Sequence, residues 1–105
     1  MPQFSRAEAE ALLPKVQPLV EDLQRRVTAY RRRPSDPVAR EIEALLRELA
    51  ELGVEVKDPD QGLIDFRTRL RGREVYLCWK LGEGSRISFW HDLETGFAGR
   101  KIIED

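Results

Sequence analysis

The chain has a single cysteine, a single histidine and a single methionine, and no apolar run near the length that spans a bilayer. One cysteine excludes an internal disulfide, so the fold needs no oxidising compartment. One histidine excludes the two-histidine spacings of common zinc sites, and no Cys-x-x-Cys stands in for them. A charge excess is missing too: Lys+Arg number 18 against Asp+Glu 19, a net charge of −1. A dedicated nucleic-acid or membrane-surface binder needs a net basic field, so neither partner is expected. The opening Met1-Pro2-Gln3-Phe4-Ser5 lacks the basic region and apolar run of a signal peptide. A bilayer span needs about 20 apolar residues. The expected setting is the cytoplasm.

What is present organises as one domain, residues 1–105, with a helical hairpin over about 5–53 and a β-meander and tail over about 62–105. Ser5 followed by Glu8 reads as a capping box, with Phe4 as a staple residue for Ala9. Leu12, Val16, Leu19, Leu23, Val27 and Tyr30 then recur every three or four residues, predicting an amphipathic helix to about Arg33. Pro14 and Pro18 each remove a backbone donor, at about 3 kcal/mol inside a helix. The apolar stripe runs through both, so one kinked helical path is expected. Arg33-Pro34-Ser35-Asp36-Pro37 is a turn, with Asp36 as N-cap and Pro37 at the first position of a second helix. Val38, Ile42, Leu45, Leu46, Leu49 and Leu52 are its apolar face, and Gly53 follows its end. Glu21–Arg25, Asp22–Arg26 and Glu43–Arg47 are favourable four-residue ion pairs. Arg31, Arg32 and Arg33 suit the helix C-terminus.

Beyond an extended Val54-Glu55-Val56 come three strand-like runs, Leu63 to Leu70, Arg73 to Leu81 and Arg86 to Asp92. Arg71-Gly72 is a two-residue hairpin loop. It pairs Leu70 with Arg73, Arg69 with Glu74, Phe66 with Leu77, Asp65 with Cys78 and Ile64 with Trp79. One face then carries Ile64, Phe66, Thr68, Val75, Leu77 and Trp79, and the other Asp65, Arg67, Glu74, Tyr76, Cys78 and Lys80. For the third strand, a three-residue loop Gly82-Glu83-Gly84 sets Ile87 and Phe89 opposite Trp79 and Leu77. That puts Trp90 beside Tyr76 and Cys78, and His91 on the other face from Cys78. A loop one residue longer moves Trp90 to the core and takes Ile87 and Phe89 out of it. The shorter loop is favoured because it buries two apolar residues rather than one. The expected fold class is α+β, an antiparallel helical hairpin packed on one face of a three-stranded antiparallel meander.

Gly62-Leu63-Ile64-Asp65-Phe66, Gly72-Arg73, Leu77-Cys78-Trp79, Leu81-Gly82-Glu83, Trp90-His91 and Gly96-Phe97-Ala98-Gly99-Arg100 follow in order. So arranged, and with Phe4-Ser5 and Leu12-Leu13-Pro14 before them, the sequence resembles a bacterial family known as domain of unknown function 2203. The resemblance implies a small stand-alone bacterial protein and transfers no activity or catalytic residue.

The residue types that carry chemistry are few. Asp65, Arg67, Tyr76, Cys78, Trp90, His91, Glu94 and Arg100 are the candidates for a ligand site or an interface. No cofactor is expected. If a divalent metal binds, His91, Asp65 and Glu94 are the ligand set, of a type suited to zinc, iron or manganese. A nucleophilic Cys78 needs His91 as its base, and the favoured register separates them. Asp65 is expected to pair with Arg67, or with Arg100 if the tail folds back. Gly82-Glu83-Gly84-Ser85 is a hairpin turn, since no helix follows to make it a phosphate loop. With no catalytic constellation, the leading reading is an interaction protein that self-associates as a homodimer through the semi-apolar second face. A metal-dependent enzyme or small-ligand binder around Asp65, His91 and Glu94 is the alternative. Single-stranded RNA binding along Arg67–Arg73, with Tyr76 and Trp90 as stacking rings, is a third.

Overall fold

The computed structural model describes residues 3–104; Met1 and Pro2 of the N-terminal segment, and Asp105, lie outside the described residues. Helix α1 runs Arg6–Arg32 and helix α2 Asp36–Glu51. Strands β1 Glu55–Asp58, β2 Leu63–Leu70, β3 Arg73–Lys80, β4 Phe89–His91 and β5 Lys101–Ile102 follow, with a short 3-10 turn Phe97–Gly99 before the last. The five strands form one antiparallel sheet in sequence order. The architecture is α+β, but with five strands rather than the three expected. Glu55–Asp58 extends one edge, and the tail folds back to add Lys101–Ile102 at the other. The extended Val54-Glu55-Val56 runs into β1, while β5 is two residues long and carries no alternating apolar pattern that would mark it as a strand.

Helix α1 passes unbroken through both prolines. Pro14 and Pro18 are one turn apart and both exposed, so the carbonyls they leave unbonded face water rather than the core. The capping box forms as expected: the Ser5 hydroxyl accepts from the Glu8 backbone N–H at 3.0 Å and the Glu8 carboxylate accepts from the Ser5 N–H at 2.8 Å. The cap of α2 is Ser35, whose hydroxyl accepts from Val38 N–H at 3.3 Å, and not Asp36, which sits in the first turn. Of the expected helix ion pairs Asp22–Arg26 forms at 3.2 Å, while Arg25 turns to Asp22 instead of Glu21.

The β2–β3 register is the expected one at every pair, Leu70↔Arg73 through Leu63↔Lys80. Arg71 at φ 52° and Gly72 at φ 79° give the two consecutive left-handed residues of a type I′ turn, the geometry that matches strand twist. Ile64, Phe66, Leu77 and Trp79 from the sheet meet Ala9, Leu13, Val16, Val20 and Leu23 of α1 and Leu49 of α2 in the core. Phe4 closes one end, its ring edge-on to Phe66 at 5.4 Å and its N–H donating to the Arg67 carbonyl. Beyond Leu23 no described residue of α1 is fully buried, and Leu49 alone is fully buried in α2. The hairpin therefore runs past the sheet, consistent with a molecule 45 Å long and about 24 Å across.

The third-strand register differs from expectation. β4 pairs Tyr76↔His91, Leu77↔Trp90 and Cys78↔Phe89, the arrangement of the longer loop. Ile87 is nevertheless fully buried, because it enters the core as a loop residue before the strand begins. Its N–H donates to the Glu10 carboxylate at 2.7 Å and its carbonyl accepts from Arg6 Nε at 2.8 Å. Period-two alternation holds only within a ladder. Applying it from Ile87 into the strand counted a residue that the ladder does not contain, which shifted Phe89, Trp90 and His91 to the wrong faces.

Candidate functional site

The corrected register rebuilds the second face of the sheet. Directly opposed residues share a face, so Asp65 and Cys78 lie on one side with Tyr76, His91, Phe89 and Glu55. Cys78 and His91 are thus brought together, not separated. Trp90 leaves the group: opposite Leu77, it faces the helix side at the edge of a groove with Leu70, Arg73 and Lys101. Its ring is flanked by the Lys101 ammonium at 4.9 Å and the Arg73 guanidinium at 5.9 Å. Arg73 is itself bonded to Asp92 at 2.6 Å.

The centre of the second face is a buried polar cluster. His91 Nε2 lies 2.9 Å from Asp65 Oδ2, with the two side chains 3% and 0% exposed. His91 Nδ1 lies 2.7 Å from the backbone carbonyl of Asp92. A carbonyl only accepts, so Nδ1 carries a hydrogen and donates it. A proton also sits between Nε2 and the carboxylate, since two lone pairs do not approach to 2.9 Å. The pair is therefore either imidazolium and carboxylate, or neutral imidazole accepting from a carboxylic acid. Asp65 Oδ1 is buried and, among the described residues, meets no N–H or O–H donor; beside His91 only the weakly donating Cys78 thiol interacts with this carboxylate. Burial pushes the Asp65 carboxyl above its ordinary value, against the pull of the neighbouring His91.

Cys78 completes the cluster: a carboxylate oxygen of Asp65, the Cys78 sulfur and a ring nitrogen of His91 lie within 4.8 Å of one another. Burial first, and then the Asp65 charge, pushes its thiol up to about 12. At neutral pH it is a thiol. A Cys–His nucleophile needs a ring nitrogen free to take the thiol proton, and both nitrogens of His91 are engaged. The arrangement is not a catalytic dyad.

The tail covers this cluster. Arg100 stacks its guanidinium on Phe89 at 3.9 Å and Phe97 at 4.8 Å, and lies against Cys78. It is bonded to Glu83 at 2.7 Å; among the described residues its buried Nε–H has no oxygen acceptor, while the guanidinium interacts with the weakly accepting Cys78 sulfur. The ion pair tying the tail to the sheet is thus Arg100–Glu83, not the Asp65–Arg100 pair expected. Nor does Asp65 pair with Arg67, whose guanidinium is held by Glu55 at 2.9 Å and Glu74 at 2.7 Å. Glu55 also accepts from Tyr76 Oη at 2.7 Å and Lys57 Nζ at 3.1 Å. Burial pushes Glu55 up, but its bonds to Tyr76, Lys57 and Arg67 together outweigh that and lower it. Tyr76 is only 5% exposed, so neither it nor the neutralised Arg67 offers an RNA-stacking surface on this face.

Glu94 is exposed on the turn after β4 and makes no bond within the cluster, so it joins Asp65 and His91 only as part of a pocket lining. That pocket, of about 190 Å³, is lined by Lys57, Leu63, Asp65, Tyr76, His91 and the segment from Leu93 to Phe97. Glu55 and Lys57 were missing from the candidates read in sequence. Their roles follow from strand pairing and loop closure, for which the sequence carries no local signal. Cys78 with His91 was legible in principle, since the longer loop joins them.

Residues 28–103 match the model of the uncharacterized conserved protein family DUF2203, covering α2 and the whole sheet. The chain belongs to this family. No curated protein and no solved structure matches it. Among the described residues no helix is long and apolar enough to cross a membrane.

Proposed function

We propose that this chain is a binding protein for a small ligand, cations included, with its site on the second face of the sheet at Asp65, Cys78 and His91. The observation that supports this reading is Asp65, a fully buried carboxylate in the lining of a pocket with one oxygen on His91 and, among the described residues, no donor stronger than the Cys78 thiol for the other. A buried polar atom left unbonded destabilises the fold by about 1–3 kcal/mol. A purely structural Asp–His pair would be expected to satisfy both oxygens. His91 is the chain's one histidine, which makes its imidazole a background-free reporter. Nitrogen-detected NMR of His91 during titration with divalent cations, phosphate and a library of small carboxylates and amines tests the reading. A saturable shift that disappears in Asp65→Asn supports it; an imidazole blind to every probe sized to the pocket refutes it.

Self-association is a second reading, moved to a different surface. The second face no longer motivates it, since Tyr76 and Cys78 are covered within the chain. The helical hairpin does: Leu46 is 40% and Tyr30 38% exposed, and Ile42 and Leu45 are only partly buried. A second copy laying its hairpin on this stripe would complete a four-helix arrangement. Sedimentation showing a dimer that Leu46→Glu converts to monomer supports it, and a wild-type monomer at high concentration ends it.

A further inference from the structure

Resting on the binding reading above, we infer that Asp65, Cys78 and His91 hold one divalent transition-metal ion of the zinc type, with a fourth coordination position left for a small molecule from the adjacent pocket. The three donors come from three neighbouring strands, Asp65 of β2, Cys78 of β3 and His91 at the end of β4, on one face of the sheet. Their ligating atoms already lie within 4.8 Å of one another. Bonds of 2.0–2.3 Å in tetrahedral arrangement bring such atoms to about 3.3–3.8 Å apart, so closure asks for roughly an ångström of side-chain movement.

Three features favour a cation over a merely structural cluster. First, Nδ1 of His91 is tied to the Asp92 carbonyl, the outer-shell bond that typically orients a metal-binding imidazole, leaving Nε2 as the ligating atom. Second, the two under-satisfied polar groups, Asp65 Oδ1 as an acceptor and Arg100 Nε–H as a donor, both belong to side chains in contact with the Cys78 thiol, a weak partner for either. A cation gives the first a partner; by converting the adjacent Cys78 thiol to thiolate it provides an acceptor beside the second. Third, the charge matches. Carboxylate, thiolate and neutral imidazole sum to −2 against the ion's +2, while Arg100 is compensated by Glu83. Mixed nitrogen, oxygen and sulfur donors suit zinc or cobalt, whereas magnesium and calcium require oxygen ligands throughout. Glu94, the third ligand expected from sequence, belongs to the pocket lining rather than this donor set. Three protein ligands with an open fourth position are the pattern of zinc sites that act on a bound molecule.

Proton bookkeeping follows from the hydrogen bonds. The thiol loses one proton, and the Asp65–His91 pair loses the single proton between its oxygen and nitrogen, whichever atom carries it.

Cobalt(II) is the probe, because the chain has one thiol and a sulfur-to-cobalt charge-transfer band can arise only from Cys78. Chelator-stripped wild-type protein titrated with Co²⁺ should give a one-to-one complex with that near-ultraviolet band and visible bands of a low-coordinate ion. It should release about two protons per ion in weak buffer, and Zn²⁺ should displace the cobalt. Cys78→Ser should abolish the band, and His91→Gln should weaken binding by about 10–100-fold or more, while Glu48→Gln on the exposed side of α2 changes nothing. The wild-type spectrum alone is decisive if a variant fails to fold. Absence of a thiolate band at one equivalent, or equal cobalt affinity in Cys78→Ser, overturns the inference. If cobalt is silent while small organic probes still shift His91, the metal falls and the binding site stands; if both are silent, both fall.

Discussion

Replacing His91 with Phe is the most informative perturbation of the fold. Among the described residues the imidazole is the one strong hydrogen-bond partner of a carboxylate that is itself fully buried, the Cys78 thiol adding only a weak contact. Without it, Asp65 stays in place with neither oxygen on a strong donor, and breaking a buried pair from one side destabilises by about 3–5 kcal/mol. Domains of this size are stable by roughly 5–15 kcal/mol, so the variant sits near the edge of folding. Asp65→Val leaves a neutral imidazole lacking one bond, a smaller loss of about 1–3 kcal/mol. Changing both residues together removes the unpaired groups and leaves apolar side chains, which for buried pairs is often close to neutral. The double variant should therefore be more stable than His91→Phe alone: single losses that sum to about 4–8 kcal/mol against a near-neutral double put the coupling at or above the ~3 kcal/mol that marks the upper end for groups in direct contact. Urea unfolding in the presence of chelator measures all four corners of the cycle, with an unchanged denaturant slope confirming that midpoint shifts are stability shifts. Singles that add to the double within about 0.5 kcal/mol would show two independent residues and refute the pairing.

Cys78, fully buried with its thiol pushed up to about 12, should resist iodoacetamide at neutral pH in the native state and react readily in denaturant. A native rate within a few-fold of the denatured rate would contradict that burial. Gly62→Ala should destabilise by more than Gly72→Ala although both glycines are left-handed. A Cβ at Gly62 would overlap Leu81 Cγ, while at Gly72 it meets open space; thermal melts giving the reverse order would refute the packing. Because the folded-state value of Glu55 is lowered, its contribution is present above its ordinary 4.5 and is lost as pH falls through the lowered value. Glu55→Gln should flatten that part of the acid-unfolding curve, and an unchanged slope between wild type and variant would argue against the network.

What the sequence by itself determined is local. The capping box at Ser5, the run of α1, and the β2–β3 hairpin rest on patterns whose parts are near neighbours in the chain. The Arg71-Gly72 turn sets a register that the alternating residues then confirm pair by pair. Even the prolines obeyed a local rule, since their spacing put both on the solvent side of the helix. Tertiary structure decided what depends on closing a longer loop. Residues Leu81 to Ser88 are no tight hairpin. Ile87 is drawn into the core by Arg6 and Glu10 of a helix more than seventy residues earlier. That one anchoring shifts β4 by a residue, and a one-residue shift exchanges the faces of every side chain in a strand. The same shift removes Trp90 from the second face and turns His91 onto it. The clustering of rare residues between Cys78 and His91 was visible in the sequence; whether they formed a site was a matter of one residue of register. Only the ladder that pairs Tyr76 with His91 brings the lone histidine to Asp65 and to the lone cysteine.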